Sequence, residues 1–180
     1  MRHLVLGSLI TVLALGASGC GDSEAVEDPT TSASSRVDLA TGVLITSNTA
    51  TVNAPANFKK SPLIVSLGAS VNGPDARYDL GLSDQEIPLE SESLDYVSKL
   101  SQTASVYKLP LERQPDTTVA GRPAYHLAGP DSIFGQWIEE FGFGHEGHTI
   151  NATVSNPLDL PQDQRDAVAA PILASVKLIG

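Results

Sequence analysis

The chain has 180 residues, with 21 acidic against 11 basic side chains and a net charge of −10. That balance argues against nucleic acid and against adhesion to anionic lipid headgroups. One cysteine rules out an intrachain disulfide, so a domain of this length must stand on its hydrophobic core.

Arg2 and His3 open the chain, Leu4–Leu15 is apolar almost throughout, and Ala17-Ser18-Gly19-Cys20 follows. That order is a positive n-region, an apolar h-region and a small-residue cleavage site. The apolar run falls short of the roughly 20 residues needed to cross hydrocarbon. Polar and acidic residues follow at once: Asp22, Glu24, Glu27 and Asp28. The pattern resembles a bacterial lipoprotein signal with its lipobox. The resemblance implies that residues 1–19 are removed and that Cys20 carries lipid on sulfur and, after cleavage, on its amine. Each buried methylene contributes about 0.8 kcal/mol, so several acyl chains hold firmly where one would not. The first partner implied is therefore the lipid bilayer, through acylated Cys20. The implied place is the extracytoplasmic face of the cell membrane. Cleavage would remove Arg2 and no acid, leaving a net charge of −11.

Residues 20–39 read as a flexible acidic Ser/Thr-rich tether with no apolar period. Such a stretch buries too little to offset its ordering entropy. Residues 40–180 read as a single domain.

Gly42–Thr46 and Thr49–Asn53 flank the turn signal Ser47-Asn48 and predict a first hairpin. Ser61–Ala69 predicts a strand or packed loop, ended by Asn72-Gly73-Pro74. Arg77–Ser83 alternates: Tyr78, Leu80 and Leu82 point one way, Arg77, Asp79, Gly81 and Ser83 the other. Ser93–Tyr107 switches to helical spacing, with Leu94, Val97, Leu100, Ala104 and Tyr107 in one stripe. Asp95 and Lys99 are spaced for an i,i+4 pair.

Leu109–Gln114, Thr117–Ala120 and Ala124–Ala128 predict short strands, the last two around Gly121-Arg122-Pro123. Gly129-Pro130-Asp131 reads as a turn. Gln136–Gly144 puts Trp137, Phe141 and Phe143 on one side of a strand, and His148–Val154 does the same with Ile150, Ala152 and Val154. A last helix runs from Pro161 to about Lys177, with Val168, Ile172 and Val176 as its stripe. Pro171 should kink or split it.

Strands, a helix, more strands and a final helix make an α+β fold, an antiparallel sheet with helices packed on it. Three stretches carry a resemblance: the hairpin Val119-Ala120-Gly121-Arg122-Pro123-Ala124, the helix start Ser93-Leu94-Asp95-Tyr96, and the ending Ile172-Leu173-Ala174-Ser175-Val176-Lys177. Together they resemble the Mog1/PsbP-like fold as it occurs in small actinobacterial lipoproteins, over roughly residues 40–178. The resemblance implies an antiparallel sheet packed between helices and no catalytic residues, since members mostly bind larger partners. Phe58 stands where that family often has Trp.

The strongest chemical candidate is Gly144-His145-Glu146-Gly147-His148. Its spacing is not that of the helical His-Glu-x-x-His zinc signature. If Glu146-Gly147 is a two-residue loop, His145 faces His148 and Phe143 faces Ile150, so the apolar faces match. That turn demands positive φ at Glu146. A three-residue loop avoids the demand but sets the Phe residues against Thr and Asn. In the first register two imidazoles share one face, a weak metal site short of the four ligands of structural zinc.

Gly81-Leu82-Ser83-Asp84-Gln85 lacks the second glycine of a nucleophile elbow. Glu139 and Glu140 alternate faces and do not converge. No cofactor motif is present in the sequence. The leading expectation is a non-enzymatic protein-binding or assembly module, with an unidentified protein partner met at Arg122 and Arg113. A carrier of a small apolar ligand or lipid is the alternative, and a hydrolase or metal-dependent enzyme the third.

Overall fold

The computed structural model describes residues 38–60, 67–70, 78–87, 93–104 and 110–180. The signal stretch, Cys20 and nearly all of the tether lie outside the described residues, as do Arg77 and residues 105–109.

The first hairpin pairs β1 (Leu44–Thr46) with β2 (Ala50–Asn53), as the turn signal at Ser47-Asn48 predicts. Next come the short β3 (Lys59–Lys60), β4 (Leu67–Ser70) and β5 (Asp79–Gln85). Helix α1 spans Leu94–Ala104. Four long strands follow: β6 (Glu112–Val119), β7 (Arg122–Asp131), β8 (Gln136–His145) and β9 (His148–Pro157). Helix α2 (Gln162–Ala174) and the short β10 (Lys177–Leu178) complete the described chain.

The protein is α+β, and every strand pairing is antiparallel. A seven-stranded sheet has the order β3-β4-β5-β9-β8-β7-β6, and a three-stranded sheet the order β1-β2-β10. Side chains alternate across the large sheet, so its two faces carry separate cores. Leu80, Leu82, Phe141, Phe143, Ile150, Ala152 and Val154 form one face, buried against the small sheet and Ile172 of α2. Tyr125, Leu127 and Ile138 form the other, buried under Leu94 and Val97 of α1. The alternation of Leu80 and Leu82 holds, each 1% exposed.

Several boundaries move, each for a local reason. The β6–β7 turn is Ala120-Gly121, at φ 49° and 76°, and Arg122-Pro123 already belong to β7. A type I′ turn needs positive φ at both central residues, which proline cannot adopt. Gly129-Pro130-Asp131 is strand, paired through to Asp131↔Gln136. β6 pairs with β7 only as far as Ala128, so among the described residues Pro130 lies on a stretch of β7 with no paired strand on that side. β6 is one strand bent by a bulge between Gln114 and Thr117, where Pro115 and Asp116 sit.

In α1 the inward stripe is Leu94, Val97 and Ser98, while Leu100 is 41% exposed. Asp95 contacts Arg113 at 3.4 Å. Helix α2 continues through Pro171 to Ala174 without splitting, and Val176 is buried beyond its end. β10 and β3 carry no sequence period, since two residues cannot show one.

Candidate functional site

The β8–β9 connection is the two-residue turn Glu146-Gly147, at φ 48° and 80°. His145 pairs with His148, Phe143 with Ile150 and Phe141 with Ala152. The matched apolar faces therefore outweigh the strain at Glu146. This register puts His145 and His148 on the face of the sheet that also carries Arg122 and Asp84. Three of the four side chains singled out in the folded domain thus meet at one end of the sheet.

The contacts there fix the roles. The Arg122 guanidinium donates to His145 Nδ1 at 3.3 Å, so the His145 proton sits on Nε2 and is donated to the Ile179 carbonyl at 3.2 Å. His148 Nδ1 donates to Asp84 at 2.7 Å. The other Asp84 oxygen accepts from the Thr49 hydroxyl at 2.7 Å and the Thr49 N–H at 3.0 Å. Ile179 in turn donates its N–H to the Thr49 carbonyl at 2.8 Å. The network joins β7, β8, β9 and β5 to the small sheet.

Burial alone would raise the Asp84 pKa. Hydrogen bonds from the Thr49 hydroxyl, His148, the Thr49 N–H and Ser47 outweigh it and hold the carboxyl below its ordinary 3.8. An imidazole oriented by a carboxylate is two-thirds of a hydrolytic triad. Here the nearest hydroxyl, that of Thr49, donates to the carboxylate itself. Among the described residues no hydroxyl is bonded to His148 Nε2, and no group of three or more His, Cys, Asp or Glu is placed to hold a metal ion. The arrangement fastens the small sheet to the large one.

Arg113 lies on the opposite face. It pairs with Asp116 and with Asp95, and its guanidinium sits 5.7 Å from the Tyr125 ring centre. Its Nη1 is buried. Arg113 is therefore committed to its own fold, and the structure does not bring it together with Arg122. Beneath it, Tyr125 is fully buried and donates to Glu140 at 3.0 Å, with Asn151 at 2.9 Å from the phenol oxygen. Burial and the neighbouring Glu140 charge push the phenol pKa up.

The other end of the sheet carries what the sequence reading missed. The β7–β8 connection spans residues 132–135 and exposes Ile133 at 57% and Phe134 at 60%. Leu158, 43% exposed, follows β9 beside them, its N–H bonded to the Gly135 carbonyl at 3.3 Å. The tip is preorganised: the buried Asp131 carboxylate accepts the Ile133 N–H at 2.9 Å, and Gly135 adopts φ 64°. Strand rise puts this tip roughly 30 Å from the histidine end of β8. The available signal was two adjacent large apolar residues inside a run of turn formers, Pro130-Asp131-Ser132 and Gly135.

No helix among the described residues is long and apolar enough to cross a membrane. No protein-family model matches the chain, and no curated protein matches it. Among solved structures, one from Bacteroides thetaiotaomicron VPI-5482 is similar at a TM-score of 0.46 and 6% sequence identity. The match covers 73% of this chain and 45% of that one, so the chain spans under half the length of that neighbour.

Proposed function

We propose that this protein is a lipid-anchored lipoprotein on the extracytoplasmic face of the cell membrane, acting as a non-enzymatic protein-binding or assembly module. Cys20 carries the anchor, the acidic segment 20–39 gives reach, and the domain of residues 40–180 does the binding. A Mog1/PsbP-like fold is part of the proposal. It is supported by the antiparallel sheet with α1 on one face and α2 on the other.

The observation that carries the binding reading is the tip formed by Ile133, Phe134 and Leu158. Large apolar side chains held outward on a preorganised turn are what an interface centre requires, because little ordering entropy remains to be lost on binding. Arg122, exposed at the opposite end, is the competing surface.

The test is a photocrosslinking residue placed at position 134 of the full chain in intact membranes, with position 122 and tether position 27 as comparators. The reading expects a discrete protein adduct from 134. Adducts from 27 alone would move the binding site into the tether and overturn it. Anchoring is tested separately: Cys20→Ala should release the chain from the membrane fraction or leave it uncleaved. A mature-size, lipid-free Cys20→Ala species that still sediments with membranes would overturn the lipoprotein reading.

A further inference from the structure

A half-open cavity of about 380 Å³ lies between α2 and the turn that follows β2. Phe58 and Asn57 come from the turn, Tyr78 immediately precedes β5, and Ala167, Val168 and Pro171 come from the helix. No charged side chain lines it among the described residues. The volume lies in the lower part of the range for small-molecule sites and holds on the order of a dozen non-hydrogen atoms.

Pro171 gives the cavity its chemistry. A proline inside a helix destabilises it, because its N–H is missing and its ring presses on the carbonyl four residues back. That carbonyl belongs to Ala167, which lines the cavity. The regular helical donor to the Ala167 carbonyl is therefore absent, at an exposed position on the rim of the cavity. The bond from the Ala40 N–H to the Pro171 carbonyl, 3.1 Å, does not account for the proline, since any residue supplies a carbonyl.

We propose that this cavity binds a compact neutral molecule with an apolar body and one hydroxyl or amide donor, which bonds to the Ala167 carbonyl. A charged ligand is disfavoured because nothing in the wall would pair with it. This site is separate from the Phe134 tip and does not depend on the protein-binding reading.

Three probes of nearly equal size test it: 2-naphthol, naphthalene, which lacks the donor, and 2-naphthoate, which is charged. Binding to the full chain is read from amide NMR shifts around the cavity. The expected result is saturable 2-naphthol binding, about five- to tenfold weaker naphthalene binding, and none of 2-naphthoate. Pro171→Ala restores the helical N–H, so it should raise stability and bring 2-naphthol down to the naphthalene affinity. Ala167→Phe, at an exposed helix position, should fill the cavity and abolish both. No saturable 2-naphthol binding, or binding that survives Ala167→Phe, would overturn the site. Equal affinities of 2-naphthol for the wild type and Pro171→Ala would overturn the role of the Ala167 carbonyl.

Discussion

The Tyr125 ring lies directly over Gly142 on the neighbouring strand, so close that a Cβ at Gly142 would sit 2.1 Å from Tyr125 Cζ. The glycine leaves the hollow into which α1 presses the ring, and the phenol reaches past it to Glu140 and Asn151. Gly142→Ala must displace a fully buried aromatic side chain. Overpacking of this kind costs about 1–3 kcal/mol. Urea unfolding should show that loss, and Tyr125→Phe combined with Gly142→Ala should not recover it, because the clash is with ring carbons as well as the hydroxyl.

Asp84 is the second point where one residue holds two layers together. Its side chain is 5% exposed and accepts from Thr49 twice and from His148. Asp84→Ala leaves the Thr49 N–H without its acceptor, at a loss of about 1–3 kcal/mol at pH 7. The folded pKa is lowered, so the carboxylate's contribution is present above the unfolded value and is lost as pH falls through the folded one. Stability curves of wild type and Asp84→Ala should therefore converge below about pH 4. A gap that stays constant down to pH 2 would show that Asp84 acts through shape and not through its charge.

Glu139 and His126 sit on the same face and titrate in opposite directions. Burial, with the Asp166 charge adding to it, raises the Glu139 pKa above 4.5. The unfavourable buried carboxylate is then fully felt above the folded pKa and relieved as pH falls toward 4.5. His126 stacks on Phe141 with ring centres 4.3 Å apart, and burial lowers its pKa below 6.5. Its neutral form is favoured, so stability declines as pH falls below 6.5. Glu139→Gln should raise the melting temperature at pH 8 and give no gain at pH 4. His126→Gln should flatten the decline below pH 6.5. Calorimetric melting across that range decides both.

Much of this architecture is written in short periods. Leu80 and Leu82 announce their face by alternation, and Phe141 and Phe143 opposite Ala152 and Ile150 select the His145↔His148 register. Leu100 misleads because a helical stripe read without its partner admits a neighbouring residue: Ser98 takes the inward position instead. β10 was illegible because its pairing with β2 joins residues more than a hundred positions apart, and two residues carry no pattern. Arg113 and Arg122 look alike in sequence. Their contacts separate them: Arg113 meets Asp95 of α1, Asp116 and the Tyr125 ring, and Arg122 meets His145.

The same contacts bear on metal binding at the facing histidines. Both ring nitrogens of His145 are engaged, one by Arg122 and one by the Ile179 carbonyl, and His148 Nδ1 is engaged by Asp84. A metal would have to break the hold of His145 on Ile179, and the Arg122 guanidinium would face the incoming cation. Two imidazoles also cannot by themselves fix a coordination geometry. Dialysis of the protein against a chelator should leave the melting temperature unchanged, and equimolar zinc should not raise it. His145→Ala, which frees Ile179, should cost about 0.5–1.5 kcal/mol with or without zinc. Should stoichiometric zinc raise the melting temperature, and His148→Ala erase that rise, the two imidazoles bind metal and the Arg122–His145–Ile179 linkage is not their resting arrangement.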